Sequence, residues 1–589
     1  MARSLHIAVI GAGGRELALQ QRLQAEGHRV LPLAVPAGDL DRFSGDLAAQ
    51  SVDLAVIGPE APLVAGLADA LRKAGVAAVG PGKAAARLEG SKSLAKGFMG
   101  RHGVATAPWQ VLALGRAVQT ADQVPLPVVV KRDGLCGGKG VNLCRDRQQL
   151  RAALEVAVLA DGPEAPVVLE ELLHGRELSL HALVSDGECC LLPAAMDHKR
   201  LLDGDLGPNT GGMGAVAPVP WVTPAVLASI RTAIVEPTLR GLREEHLDYR
   251  GILYFGLMLT AAGPRLLEYN VRLGDPECQV LLPLLATDLG RLLHSVANGS
   301  LPTASPPLHP GFAAAVVLAA PGYPLAPQLG RAVEVANPEG LLLAGLYTTP
   351  EGLQTSAGRA AVAVGHGSTL EQALRQAYDR AEPLAAQGLC LRRDIGSKAR
   401  PLRLAVLASG RGSNLAALLR ACDQGVLQGL AQVVVTLWDR AAPGQALAQA
   451  AGVAVAQLDH SGLTRGEWGE RAAALLRQHG VEVVVLAGFA RILAPEFVDA
   501  FAGRIVNIHP ADPTQYVGLH SYRWAWEQGL AATAVTVHLV EAGLDSGPIL
   551  AQEGVDLRGA ATLVEVEARG LAVEHRLYAQ AIRNWLLAL

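Results

Sequence analysis

The sequence predicts an α/β protein of several domains, with doubly wound layers at its front and again near its end. Three observations carry this. The chain has 589 residues, too many for a single core. Half its residues are apolar and only 4% aromatic, and Ala, Leu, Val and Gly dominate, as packed α/β layers require. A strand, a glycine turn and a helix open twice, at LHIAVIGAGG (Leu5–Gly14) and at LAVLASGRGSN (Leu404–Asn414). The surroundings of the two openings differ, so they do not imply an internal repeat.

The elements follow in order. Leu5 to Ile10 is a short apolar strand leading into the helical pattern RELALQQRLQ. Val52 to Ile57 is a second strand, ended by Gly58-Pro59-Glu60, and a helix from about Leu63 to Ala74 leads to a third at Val76 to Val79. This alternation defines a first domain over residues 1–101. Over 102–305 the pattern changes: Val128 to Lys131 opens a glycine-rich hairpin through Lys139, and Val167 to Glu171, Cys190 to Ala195 and Leu266 to Val271 read as strands. The Pro-rich stretch ASPPLHPG marks a boundary before a smaller module over 306–399, and DIGSKARPLR (Asp394–Arg403) reads as a linker. The last domain, 402–589, has further strands at Gln432 to Thr436, Val481 to Ala487 and Ile505 to Asn507.

Composition narrows the function. The formal charge is −4 and no Lys/Arg-rich block occurs, which argues against a nucleic-acid partner. The seven cysteines are scattered, with no C-x-x-C pair, as in a reducing, cytoplasmic setting. The N-terminus runs straight into a strand rather than a signal-peptide apolar region, and no apolar run reaches the ~18 residues of a membrane span. The expectation is a soluble protein acting on small molecules.

In the first half, GAGGRE (Gly11–Glu16) lacks the third glycine of the dinucleotide fingerprint. It suits a phosphate on the helix N-terminus, or simply a tight turn. In VVVKRDGLCGGKGV, Lys131 ends a strand and Lys139 lies in a glycine-rich turn where backbone amides can approach phosphate oxygens; a plain exposed hairpin is the alternative. In LLEYNVRLGDPE, an extended Leu266–Arg272 would put Glu268, Asn270 and Arg272 on one face. Carboxylate and amide oxygens are hard ligands suited to Mg²⁺, and an arginine beyond them can grip a carboxylate or phosphate. A solvated face is the competing reading. DHKR (Asp197–Arg200) and GDLGPNTGGMGA (Gly204–Ala215) form a second small-residue loop, suited to ligand contact or to a flexible surface.

In the second half, SGRGSN (Ser409–Asn414) joins a strand to a helix whose start can hold a phosphate, or where Ser or Asn is an ordinary cap. RIVNIHPADP puts Asn507 and His509 two apart on an extended chain, hence on one side. His538 follows mid-strand and Asp545 lies in a loop. A histidine titrates at about 6.5 when unperturbed, and an aspartate beside it favours the charged ring. An amide next to the pair can stabilise a developing oxyanion. That set suits acyl transfer to an amine without a Ser or Cys nucleophile.

IGAGGRE, GPEAPLV, LEGSKSLAK, KRDGLCGGKGV, DHKR, GPNTGGMGA, EYNVRLGDPE, GYP (Gly322–Pro324) and RRDIGSKA (Arg392–Ala399) occur in the order seen in glycinamide ribonucleotide synthetase, and residues 5–400 resemble that family. The resemblance implies an ATP-grasp domain between an N-terminal doubly wound domain and a small C-terminal ligase domain, with ATP and Mg²⁺ or Mn²⁺ as cofactors. It implies phosphate contacts for Lys96, Lys131 and Lys139, an adenine edge at Glu170, Glu171 and Leu173, and a ribose contact at Glu177. Glu268 and Asn270 would hold the metal. Gly13, Gly14, Arg15, Asp205, Asn209, Thr210, Gly211, Gly212, Met213, Arg272 and Asp275 would face glycine and phosphoribosylamine. The chain departs from the family pattern at Leu17, Arg132, Cys136 and Leu273, none of which removes a charge-bearing group.

Residues 402–589 resemble glycinamide ribonucleotide formyltransferase through ASGRGSN, LAGFARIL, VNIHP, GLHSYR, TVHLV and LDSGPIL. This implies a separate Rossmann-like domain with a parallel sheet. It further implies substrate phosphate on Gly412, Ser413 and Asn414, and 10-formyltetrahydrofolate against Arg465, Ala490, Arg491, Ile492, Leu493 and Asn507. His509 would be the proton donor, kept charged by Asp545. HPADPTQYVG and Ala490 depart from the family pattern. Together the halves imply two consecutive steps of purine synthesis. A chain with one active half and one structural or regulatory half is the alternative. Transfer-RNA formylation and nicotinamide-dependent oxidation fit less well, the first for want of a basic surface and the second for the broken fingerprint.

Overall fold

The computed structural model describes residues 3–36, 38–137, 140–302, 305–541, 543, 545 and 547–589. The chain divides into two compact units, one of Met1–Val219 and Pro224–Ala399, the other of Arg400–Leu589 with Pro220–Thr223.

In the first unit, strands Arg29–Leu33, His6–Ile10, Leu54–Ile57 and Ala77–Val79 form, in that order, an all-parallel sheet. Its middle strand is buried on both faces, which is why Ile7 to Ile10 read as one apolar run. The helix expected from Leu63 to Ala74 is two helices, Glu60–Ala65 and Leu67–Lys73. They break at Gly66, whose φ of 103° caps the first in a conformation only glycine adopts without strain.

Two antiparallel four-stranded sheets follow. One has the order Trp109–Ala113, Pro166–Glu171, Val128–Arg132, Val141–Cys144; the other Glu188–Leu191, Arg176–Ser185, Arg250–Thr260, Gly263–Asn270. The strand expected at Cys190 to Ala195 ends at Leu191, since Pro193 has no N–H for a ladder. The strand expected to reach Val271 ends at Asn270. A register shift opposite Gly256/Leu257 leaves Leu267 without a partner across the ladder.

A five-stranded sheet completes the unit, in the order Met196–Asp197, Gly214–Ala217, Phe312–Ala319, Arg359–Gly367, Leu341–Leu342. Its first two strands come from the chain before residue 305, so this module is stitched to the middle of the unit. One buried apolar cluster runs through Ile7, Val280, Val317 and Val362, so the front sheet and this module share a core. The stretch read as a linker is packed at its start: Ile395 and Ala399 are buried.

The second unit is one seven-stranded sheet, ordered Ala454–Gln457, Ala431–Trp438, Leu402–Ala408, Val483–Leu486, Ile505–His509, Ala532–Leu539, Ile549–Asp556. The first five strands pair in parallel, as expected, and the last two pairings are antiparallel because Ala532–Leu539 alone runs the other way. Strand order reverses on either side of Leu402–Ala408, the place where open α/β sheets bind ligands. Helix Leu563–Ala588 anchors to the sheet by its Tyr578, whose hydroxyl donates to Leu486 O and Val506 O at 2.8 and 3.0 Å. Among the described residues, no helix is long and apolar enough to cross a membrane.

Candidate active sites

The first site is built on the two antiparallel sheets. Lys96, on helix Lys92–His102, is buried and lies 3.0 Å from Glu170 Oε1. Lys131, near the end of Val128–Arg132, lies 3.0 Å from Glu170 Oε2 and donates to Leu267 O at 2.9 Å, the carbonyl that the register shift turns out of the ladder. Glu170 therefore commits its carboxylate to two ammonium groups. Burial, with Lys131 adding repulsion, pushes Lys96 down to about 8 despite Glu170. Glu171 is exposed and Leu173 partly so. Lys139 lies outside the described residues.

Glu268 and Asn270 alternate on Gly263–Asn270, while Tyr269 between them is buried. The strand thus presents both oxygen donors on its open face, and the polar-face reading gives way to an apolar back. Burial works against the charge of Glu268, but Lys199 and Lys131 hold its carboxyl below the usual range. An ionised carboxylate and an amide oxygen side by side fit a hard divalent cation. Lys199 Nζ lies 3.6 Å from Glu268 and 3.9 Å from Glu177. With Ser179, Asp197 and Tyr254 these lysine and Glu177 groups line one cavity. Lys199 carries no role in the sequence reading, although DHKR contains it.

Arg272 Nη2 donates to Asn270 Oδ1 at 3.4 Å, so its guanidinium stays beside that face. Past the strand end it turns to Glu89 at 2.9 Å and Glu60 at 3.4 Å. Asp275 instead meets the glycine turn: a Cβ on Gly14 would lie 3.5 Å from Asp275 Oδ1, and one on Gly13 3.8 Å from Oδ2. Its oxygens accept from Gln279 Nε2 and Arg359 Nη2, each at 2.7 Å. The Asn209–Met213 loop arrives from the other side. Thr210 Oγ1 donates to Lys199 O at 2.9 Å, and a Cβ on Gly212 would meet Asp197 Oδ1 at 2.7 Å. Gly13, Gly14, Gly211, Gly212 and Asp275 thus come together.

Other expected contacts resolve differently. Met213 is fully buried in the shared core, so its side chain packs rather than facing substrate. Arg15 is buried against Glu16 at 2.7 Å and donates to Leu273 O at 3.0 Å. Asp205 spends its oxygens on Arg392 and Lys398, at 2.9 and 2.6 Å.

The second site lies at the carboxyl ends of the seven-stranded sheet. Gly412, with φ of 81°, caps helix Ser413–Gln424. Asn414 turns inward: its Nδ2 donates to buried Glu574 Oε2 at 2.6 Å, and Tyr522 Oη donates to the other oxygen at 2.6 Å. Its side chain is therefore a brace and not a phosphate donor. Ala490 N donates to Ser409 Oγ at 3.0 Å, and Arg491 pairs with buried Asp439 at 2.9 Å. Ile492 is exposed while Leu493 is buried. Arg465 stands exposed on the first turn of helix Arg465–Gln478.

Strand Ile505–His509 carries Asn507 opposite His538 on the antiparallel neighbour. Asn507 Nδ2 lies 3.2 Å from His538 Nε2 and donates to Asp545 Oδ1 at 3.3 Å. Asp545 Oδ2 lies 3.5 Å from His509 Nδ1. His509 Nε2 lies 2.8 Å from Tyr516 O. A carbonyl only accepts, so both ring nitrogens face acceptors. Tyr516 belongs to the departing stretch HPADPTQYVG, and its ring stacks on Trp524 at 4.7 Å; the altered loop holds the histidine. Asp545 has a φ of 51°, which Asp tolerates better than most residues. Burial raises its carboxyl, but a hydrogen bond from His538, the charges of both histidines and the Gly518 N–H hold it below the usual range.

Comparison with known proteins assigns both regions. Family models match in sequence order: phosphoribosylglycinamide synthetase N domain at 5–89, its ATP-grasp (A) domain at 90–278, its C domain at 313–398, and formyl transferase at 402–582. The phosphoribosylamine–glycine ligase of Mesorhizobium japonicum is 38% identical, covering 67% of this chain and 98% of that protein. That of Leifsonia xyli subsp. xyli is 41% identical, covering 67% and 100%. A crystal structure of the Thermotoga maritima phosphoribosylamine–glycine ligase covers 66% of this chain and 99% of its own, at 34% identity and a TM-score of 0.57. The chain belongs to the phosphoribosylamine–glycine ligase family and carries, fused behind the ligase, a formyl transferase domain.

Proposed function

We propose that the chain is a bifunctional cytoplasmic enzyme of purine synthesis, with ligase domains over 1–101, 102–305 and 306–399 and a formyltransferase domain over 402–589. In the first reaction the carboxylate of glycine takes the γ-phosphoryl group of ATP, giving glycyl phosphate and ADP. The amine of 5-phosphoribosylamine attacks the acyl carbon, phosphate leaves, and glycinamide ribonucleotide forms. Lys96 and Lys131 neutralise phosphate charge in a partly dry cleft. Glu268 and Asn270 would hold Mg²⁺, which supplies further neutralisation of the transferring phosphoryl group. Asp275 and the Gly211–Gly212 turn shape the end where glycine and phosphoribosylamine lie.

In the second reaction the amine of glycinamide ribonucleotide attacks the formyl carbon of 10-formyltetrahydrofolate. Asn507 donates to the oxygen as it gains charge, and His509 gives a proton to the departing folate nitrogen. Asp545 keeps the ring oriented and charged. The observation that carries this reading is the convergence of Asn507, His509 and Asp545 within 3.5 Å. Two assays test it: glycine-dependent ADP release in the presence of phosphoribosylamine, and formyl transfer to supplied glycinamide ribonucleotide. Activity in only one assay reduces the other half to a structural or regulatory role.

A further inference from the structure

Two side chains of the C-terminal ligase module reach into the middle of the first unit and grip one residue from both sides. Tyr323 Oη accepts from Gly211 N at 3.0 Å, and Arg359 Nη1 donates to Gly211 O at 2.8 Å. The same guanidinium donates to Asp275 O at 2.8 Å and to Asp275 Oδ2 at 2.7 Å. It lies over the glycine itself, 3.2 Å from where a Cβ on Gly211 would be. One planar fork therefore spans two loops, the Gly211–Gly212 turn and the turn carrying Asp275. Gln279 fixes the remaining oxygen of Asp275, which lies against Gly13 and Gly14. A sealed structural arginine in this unit looks different: Arg392 has a side chain 1% exposed, whereas that of Arg359 is 24% exposed.

We infer that Arg359 and Tyr323 are positioning residues for the glycine and phosphoribosylamine end of the ligase site, setting the spacing between Asp275 and the Gly211 peptide. This rests on the ligase reading above. Lysine has no fork and cannot hold both loops at once, and a shift of about 1 Å at a substrate-positioning group costs on the order of 10²-fold.

The test uses the full chain. ADP release is measured in wild type, Arg359→Lys, Arg359→Gln and Tyr323→Phe, with glycine, phosphoribosylamine and ATP varied in turn. The expected result is a kcat/KM for glycine or phosphoribosylamine lowered about 10²-fold in Arg359→Gln, with partial recovery in Arg359→Lys, a smaller loss in Tyr323→Phe and an ATP KM within a few-fold of wild type. Added to Asp275→Asn, Arg359→Gln should cost less than it does alone, because one of its contacts is already weakened. Normal wild-type activity with unchanged acceptor kinetics in the variants, or equal effects on ATP and acceptors, overturns the inference. Wild type without glycine-dependent ADP release overturns the ligase reading and this inference with it. Should Arg359→Gln unfold, Tyr323→Phe, which removes only one oxygen, decides the matter by the same split.

Discussion

The carboxylate of Asp545 sits between two imidazoles, 3.5 Å from His509 Nδ1 and 3.5 Å from His538 Nε2. Each ring also has its other nitrogen 2.8 Å from a backbone carbonyl, Tyr516 O in the case of His509, and the proposed reaction uses His509 as its proton donor. His538 Nδ1 lies 2.8 Å from its neighbour's carbonyl, Leu539 O, and its Nε2 faces Asn507; it buttresses the amide. Formyl transfer should therefore fall by about 10²–10⁴-fold in His509→Ala, while glycine-dependent ADP release is unchanged. Equal loss of both activities contradicts separate sites.

Asp545 also carries a pH signature. Its folded carboxyl lies below its ordinary value, so its ionised form stabilises the fold above about 3.9, the unfolded value, and that contribution fades as pH falls through the lower folded value. The melting-midpoint gap between wild type and Asp545→Asn should close as pH falls below about 4. A gap that widens below about 4 has the wrong sign.

Lys96 titrates in the opposite sense for function. In the proposed reaction its ammonium neutralises phosphate, and burial pushes its value down to about 8. The kcat/KM for ATP, which reports the free enzyme, should decline as pH rises past that value. Lys96→Arg, which cannot deprotonate, should remove the alkaline decline even if it lowers the plateau.

Glu268→Gln keeps the shape of the side chain and removes the charge beside Lys199. Glycine-dependent ADP release should drop by at least about 10²-fold, with an increased Mg²⁺ requirement, and formyl transfer to supplied glycinamide ribonucleotide should be untouched.

The brace in the second unit has its own test. Asn414→Leu leaves Glu574 Oε2 without its donor in a buried site, at a cost of about 1–3 kcal/mol. The melting midpoint of the second unit should fall, and the KM for glycinamide ribonucleotide should rise as the Gly412 turn loosens.

Local order was legible in the sequence, and long-range partnership was not. The alternation of Glu268 and Asn270, and of Asn507 and His509, follows from strand period alone, and the folded chain keeps both pairs. Arg272 keeps a hydrogen bond to Asn270 past the strand end, but its two carboxylate partners from the first unit's front, Glu60 and Glu89, lie far away in sequence and were not legible. Asn414 looked like a phosphate donor until Glu574, 160 residues later, claimed its amide. Met213 sits in a glycine-rich loop, yet its apolar body is drawn into the shared core. Arg359 carries no role in the sequence reading; only folding brings it to Asp275.

The central claim is that one chain carries out two consecutive steps at two separate sites. The most direct measurement incubates it with phosphoribosylamine, glycine, ATP, Mg²⁺ and 10-formyltetrahydrofolate and identifies the product by mass. Wild type should yield formylglycinamide ribonucleotide, His509→Ala should stop at glycinamide ribonucleotide, and Glu268→Gln should yield neither. Wild type that stops at glycinamide ribonucleotide, or that consumes no glycine, contradicts it.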